Sequence, residues 1–431
     1  MTDARVVLWG RDIGAVSWLG DRGVGVFQYV PEFVGSGIEP SPLVMPLDSL
    51  PYEFPALPRS SFRGLPGLLA DSLPDRFGNA VIDAWLAAQG READSFDPVE
   101  RLCYTGARGM GALEYQPAIL GPRTESHRLE VAKLVELSNL ILTERSALSG
   151  VLRDDESGAV DDILRVGTPA GGARAKAVVA WNPASGELRS GQLEAGDGFE
   201  HWLIKFDGVS ANRDRELADP QGYGLMEYAY HLMAVDAGVE MSDCRLHHEG
   251  GRSHFMTRRF DRTPPDGKRH MQSLAALAHL DTNNPVANSY EQAVRVIRRL
   301  GLPMHDRRQQ FLRAVFNVVA RNQDDHVKNI AFLMNRRGEW RLAPAFDVCN
   351  AFQPDGPWTG RHQMSINGKR DGFERADLYV LAATAGIKRR PADDHIDRVL
   401  DAVRRWPDFA AEAGVPIERV DRIGRVHRLE L

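Results

Sequence analysis

The amino-acid sequence predicts an α+β fold in two lobes, β-rich at first and helical later. Three observations predict it. The chain opens with short β-branched and aromatic runs separated by Gly/Asp turns, "ARVVLWG", "GAVSWLG" and "VGVFQYV". A second group of strand-like runs, among them "AKAVVAW", "HWLIKF" and "SHFMTRRF", follows a long amphipathic stretch. From Tyr290 onward apolar residues recur mostly at helical spacing. A small β-rich lobe stacked on a helical lobe is the simplest layer arrangement for this order, and a cleft between lobes is a favoured ligand site.

Taken in order, the opening strands lead into Pro-rich loops between Pro40 and Pro66. "GLLADSLPDRFGNAVIDAWLAAQG" then has helical spacing, interrupted at Pro74. "GARGMGALEYQP" (Gly106 to Pro117) is a glycine-rich turn into a strand; a tight turn is its ordinary meaning and a phosphate cradle the alternative. "RLEVAKLVELSNLILTERSALSGVL" (Arg128 to Leu152) is a long amphipathic helix, and the acidic linker after it marks the neighbourhood of the main boundary. "GLMEYAYHLMAVDAGVEM" is a helix ending at Gly238, where glycine suits a C-terminal stop. No internal repeat or low-complexity tract is present.

Composition narrows the function classes. The 431 residues are 43% hydrophobic and 26% charged, an ordinary globular balance long enough for two or three domains. A net charge of -6 lacks the basic footprint of a nucleic-acid binder. Cys103, Cys244 and Cys349 are far apart and odd in number, which fits neither a disulfide framework nor a zinc cluster. No signal peptide and no run of 18 apolar residues is found, so a soluble, cytoplasmic protein with no membrane partner is expected.

The chemistry concentrates in "ARNQDDHVKNIAF" (Ala320 to Phe332). It lies between the amphipathic helix "FLRAVFNVVARNQ" and a hairpin formed by "IAFLM", the turn "NRRGE" and "WRLAP". Loops held by rigid elements are where catalytic groups tend to lie. Asp324 stands five residues before Asn329, and Asp347 in "APAFDVCN" stands 18 residues after it. Protein kinases use this order: a carboxylate for the attacking hydroxyl, then an amide and a second carboxylate as hard ligands for Mg²⁺. The spacing selects Asp324 over Asp325, which is left as a bystander. A capped turn, its Asp and Asn satisfying backbone donors, is the alternative. His326 is a candidate for holding the loop, and Lys328 faces either a phosphate or solvent.

Phosphoryl transfer also needs a cation on the nucleotide phosphates, usually a strand lysine. Lys205 in "HWLIKF" is the candidate, with Glu227 on the following helix as its candidate partner; an edge lysine pointing to water is the alternative. "VGTPAGGARAKAVVAW" (Val166 to Trp181) is a glycine-rich turn into a strand, either a plain hairpin or a cradle for phosphate oxygens. It is not a P-loop, since Ala173 and Arg174 stand where Lys and Ser/Thr are required. Lys176 is positioned in sequence to reach a phosphate.

These segments together resemble the HipA-type serine/threonine kinases, the toxin halves of bacterial toxin–antitoxin pairs. "FQYVPEF" and "LLADSLPDRFGNAV" look like the family's amino-terminal domain. "GGARAKA", "LIKF", "RRFDR", "NQDDHVKN", "LAPAFDV" and "SINGK" look like successive motifs of its kinase domain, in order. The resemblance implies a two-lobed, protein-kinase-like (HipA-like) fold, with residues 1–125 as the amino-terminal domain. Residues 126–431 would be the kinase domain, its ATP-binding strands reaching to about residue 265. It implies ATP and Mg²⁺ as cofactors, Asp324 as the catalytic aspartate, and Asn329 and Asp347 as metal ligands. Lys205 would contact ATP phosphates, and Gly171, Gly172, Ala173, Arg174 and Lys176 would form the phosphate-side loop. The backbone of Arg258, Arg259 and Phe260 would be the hinge against adenine. Partners implied are a HipB-like DNA-binding antitoxin, with DNA reached only through it, and a host protein substrate, with aminoacyl-tRNA synthetases among the targets of relatives.

Two departures stand out. Many members carry an autophosphorylated serine just before the glycine pair, where this chain has Pro169; Thr168 is the adjacent candidate. The hinge begins with Arg258, where an acidic residue is common. A small-molecule phosphotransferase and a non-catalytic corepressor of an antitoxin are the alternatives to a protein kinase.

Overall fold

The structure, a computed structural model, describes residues 2–119, 128–143, 174–191, 196–209, 213–214, 217–218, 221–263 and 267–431. The chain forms two compact units. The first comprises residues 1–39, 47–224 and 245–271, and the second 40–46, 225–244 and 272–431.

The first unit begins with an antiparallel sheet whose strands run in the order Val24–Tyr29, Arg11–Leu19, Thr2–Leu8, Leu113–Gln116. Leu8 pairs with Arg11 across a two-residue turn in which Trp9 and Gly10 both have positive φ, 53° and 78°. That turn twists in the sense of the strands it joins. Gly14 is required by packing, since a Cβ there would lie 2.3 Å from the Gln28 carbonyl and 2.6 Å from the Phe27 ring.

Two capped helices follow. Asp75 caps Arg76–Ala88 by accepting from the Gly78 N–H, and Asp97 with Glu100 forms a capping box on Pro98–Thr105. Pro74 lies between the short helix Gly67–Ala70 and Arg76–Ala88, where the sequence predicts an interruption. The predicted helix from Arg128 is described as Val131–Thr143; its expected continuation to Leu152 lies outside the described residues.

A second sheet has the order Cys244–Glu249, Arg252–Arg258, Glu200–Lys205, Lys176–Trp181, Leu188–Ser190. Phe77 and Val81 of one helix and Leu134 and Val135 of the next share a buried cluster with Val179, Trp202, Ile204 and Met256 of this sheet. One face of the sheet is therefore closed by two helices that precede it in sequence.

The second unit is mainly helical, with Tyr290–Arg299, Met304–Val319, Arg375–Ala385, Arg389–Arg404, Trp406–Ala413 and Ile417–Gly424. The helix Tyr223–Asp236 joins it from Leu225 on. Phe311, Val315, Phe316, Leu378, Ile396, Val399 and Trp406 are buried at its centre. The predicted hairpin is present as Ala331–Met334 against Trp340–Leu342. No helix among the described residues is long and apolar enough to cross a membrane.

Candidate active site

The loop Ala320–Ile330 starts where the helix Met304–Val319 ends. Arg321 takes a left-handed conformation, φ 58°, which stops the helix. The exit is then closed by Asn322, whose N–H reaches the Asn317 carbonyl and whose side-chain amide donates to the Asn317 Oδ1, both at 3.0 Å.

Asp324 is half-buried. Its Oδ1 accepts from the Trp358 indole N–H at 2.7 Å, and its Oδ2 lies 4.0 Å from His326 Nε2. Asn329 donates its side-chain N–H to the Asp324 backbone carbonyl at 2.9 Å, which turns its amide oxygen the other way. Asp347 sits beyond the hairpin at φ 56°. Asp tolerates that region better than most residues, and such strain is often found at functional sites. Asn329, Asp347, Asp325 and His326 line one cavity of about 30 Å³. Lys328 lies on the same turn, partly exposed. The structure thus gathers the sequence-predicted Asp324, Asn329 and His326 on one loop, with Asp347 beside it. An amide oxygen and a carboxylate are hard donors of the kind Mg²⁺ takes alongside phosphate oxygens, so the donor set fits that ion.

Asp325, expected to be a bystander, is the anchor of the loop. It is 3% exposed. Its Oδ2 accepts from the Tyr290 hydroxyl at 2.6 Å and from His362 Nδ1 at 2.8 Å, and its Oδ1 accepts from the Gln363 N–H at 2.7 Å. Burial pushes its carboxyl up, but His362 and the three hydrogen bonds outweigh this and hold it below the usual carboxylate range. Burial, with Asp325 adding, pushes the Tyr290 phenol well above its ordinary value. The network extends outward: Asn317 donates to the Tyr290 hydroxyl at 2.9 Å, and Arg428 Nη1 donates to His362 Nε2 at 2.9 Å. Arg428 also donates to the Val318 carbonyl at 3.0 Å, and Arg321 to the Val426 carbonyl at 2.9 Å. Arg428 and Val426 thereby brace the loop.

In the first unit, Lys205 ends the central strand Glu200–Lys205, in register with Lys176 on one side and Phe255 on the other. Its Nζ is 5.8 Å from the Phe255 ring centroid. The expectation that Lys176 reaches toward a phosphate is corrected: its amine is buried and lies 2.9 Å from Asp75 Oδ2, with both side chains no more than 4% exposed. Burial of an ammonium demands such a partner. Arg174 stacks its guanidinium on the Tyr223 ring at 3.2 Å, and Arg258 pairs with Glu200 at 3.2 Å. Gly171, Gly172, Ala173 and Thr168 lie outside the described residues. Glu227 is buried on its helix in the second unit.

At the expected hinge, the Arg259 N–H donates to the His201 carbonyl and its own carbonyl accepts from the Arg262 N–H. The Arg259 guanidinium is buried against Asp261, which also binds Arg262 and the Gly111 N–H. Burial opposes the Asp261 charge, yet Arg259 and Arg262 hold its carboxyl well below the usual range. Those two arginines also reach the carbonyls of Gly109 and Gly111. The glycine-rich turn at Gly106–Gly111 is therefore a tight turn with its backbone bonded to side chains of the protein. Phe260 follows at a turn position.

Residues 4–116 match the HipA N-terminal domain and residues 168–406 the HipA-like C-terminal domain, the latter alone spanning more than half the chain. The chain belongs to the HipA family. Among solved structures it is similar to HipA of Shewanella oneidensis MR-1, determined with HipB and operator DNA. The TM-score is 0.67 at 17% identity, covering 98% of this chain and 95% of that one. The fold is accordingly α+β and HipA-like. A slighter likeness, TM-score 0.35 at 13% identity over 53% of this chain and 88% of the other, is to the Helicobacter pylori proinflammatory kinase CtkA, and carries no argument here. No curated protein sequence matches the chain.

The sequence assigns no role to Asp75, Asp261 or Trp358, and it leaves Asp325 as a bystander. Asp75 has a helix-cap signature, but its pairing with distant Lys176 leaves no trace in spacing. Asp261 was visible within "RRFDR" without a role. Trp358 lies in the turn-rich "GPWTG", where no periodicity marks a contact.

Proposed function

We propose that this HipA-family chain is an ATP- and Mg²⁺-dependent serine/threonine protein kinase, the toxin of a toxin–antitoxin pair. The observation that carries the reading is that Asn329 and Asp347 line one cavity, with Asn329 bonded to the Asp324 backbone on a loop locked by the buried Asp325. Asp324 takes the role of accepting the proton of the attacking hydroxyl. Asn329 and Asp347 would hold Mg²⁺, which when bound neutralises charge on the transferred phosphate. Lys205 is assigned to the nucleotide phosphates, and Glu227 is retained as its candidate partner. The backbone of Arg258, Arg259 and Phe260 is kept as the proposed hinge against adenine, with the Arg259 N–H and carbonyl already bonded within the protein. Lys176 is left out of the phosphate contacts because Asp75 holds it. Thr168 remains the proposed autophosphorylation site in place of the serine many members carry.

The partner proposed is a HipB-like antitoxin, in keeping with the HipB bound to the Shewanella relative, with DNA contacted through it. The substrate proposed is a host protein, with an aminoacyl-tRNA synthetase as a candidate, phosphorylated in the cytoplasm. The experiment is quantitative phosphoproteomics of cells expressing wild type against Asp324→Asn. New Ser/Thr phosphosites only with wild type support the reading. Their absence, with soluble expression and Mg²⁺-ATP binding intact, would turn it toward a small-molecule substrate.

A further inference from the structure

The two adjacent aspartates of the loop are joined by a closed ring of hydrogen bonds that runs through a distant segment. The Gln363 N–H donates to Asp325 Oδ1 at 2.7 Å. The Gln363 side-chain amide donates to the Trp358 carbonyl at 2.5 Å and the Arg361 carbonyl at 2.9 Å. The Trp358 indole N–H then donates to Asp324 Oδ1 at 2.7 Å, and the peptide between Asp324 and Asp325 closes the ring. The segment carrying Trp358 is itself tightly turned. Gly356 and Gly360 bond to the carbonyls of Gln353 and Gly356, and a Cβ at Gly360 would lie 2.4 Å from the Gly356 carbonyl. At its base the Arg321 guanidinium lies 4.3 Å from the Phe352 ring centroid.

We infer that Trp358 is a positioning residue for phosphate transfer: its indole N–H fixes the plane of the Asp324 carboxylate, and Gln363 ties that orientation to the buried Asp325. This rests on the kinase reading. An aspartate side chain on a loop rotates about two bonds, and the direction of Oδ2 is set once Oδ1 is held by a rigid donor. A bulky ring with one donor and no acceptor suits that task, since it can only donate to a carboxylate. General-base catalysis depends on such orientation.

Trp358→Phe removes the N–H and keeps an aromatic ring. The expected result is a fall in kcat of roughly tenfold, the effect of one lost charge-assisted hydrogen bond, with KM for ATP little changed. A second readout does not use activity. The Trp358 indole proton, assigned as the NMR signal missing from Trp358→Phe, is expected downfield of an amide-bonded indole and should move upfield in Asp324→Asn. An unaltered or higher kcat in folded Trp358→Phe overturns the proposal, a rise marking the contact as inhibitory. An indole signal that does not move in Asp324→Asn overturns it as well, and this arm stands if Trp358→Phe fails to fold, the signal then being assigned by sequential methods. A wild-type chain that transfers no phosphate while the signal still moves contradicts the kinase reading and supports the contact. Phosphate transfer with an unmoved signal contradicts the contact alone.

Discussion

Replacing Asp325 by asparagine changes one atom type at the centre of the loop, and the surrounding hydrogen bonds allow the cost to be worked out. The carboxylate accepts from three buried donors, the Tyr290 hydroxyl, His362 Nδ1 and the Gln363 N–H. An asparagine oxygen can keep the Gln363 bond, but its NH₂ then faces Tyr290 and His362. His362 cannot adapt by moving its proton to Nε2, because Arg428 Nη1 already donates there. Tyr290 already accepts from Asn317 and needs an acceptor for its own proton. At least one buried donor is left unsatisfied, at about 1–3 kcal/mol, and the charge-assisted bonds are lost as well. Breaking a buried charged network in this way costs roughly 3–5 kcal/mol, a large share of a typical domain's stability. Urea unfolding of wild type and Asp325→Asn at neutral pH measures the difference. A loss below about 1 kcal/mol would refute the reasoning, since it would mean that the network relaxes without an unsatisfied group.

Lys176→Met leaves Asp75 charged and buried and should destabilise by roughly 3–5 kcal/mol in the same assay, whereas a surface lysine would cost little. Asp261 and Asp325 both have carboxyls held below their unfolded values, so their contributions are full above about pH 4 and are lost as pH falls through the lower folded values. The stability gap between wild type and Asp261→Asn should therefore be flat from neutral pH to about pH 5 and narrow only in stronger acid; a gap that closes near pH 6 would contradict this.

Much of the fold was legible because its signals are local. The opening hairpin follows from alternating burial and a Trp9–Gly10 turn, and the helix break at Pro74 follows from proline's missing donor. The approach of Asn329 and Asp347 was legible because the hairpin between them, Ala331–Met334 against Trp340–Leu342, is short and returns the chain to its start. The weighting of the two aspartates was only half legible. Spacing picked out Asp324, but it carries no information about which neighbour is buried, and Asp325 became the anchor through Tyr290, His362 and Gln363, none adjacent in sequence. Lys176 was misread for a related reason: a lysine after a glycine-rich turn suggests an anion, and the anion supplied is Asp75 on another element. Charge clusters such as "RRFDR" show that ion pairs exist without showing that they fasten a glycine turn far upstream.

The central claim is that Asp324 is the base of a protein kinase. Its most direct test is transfer of radiolabelled γ-phosphate from Mg²⁺-ATP to protein by purified wild type and Asp324→Asn. Asparagine keeps an oxygen for the Trp358 indole, so the variant should unfold within about 1 kcal/mol of wild type, as for a partly exposed substitution outside the core. The account predicts label on protein with wild type and none above background with the variant. Equal labelling by the two would contradict it.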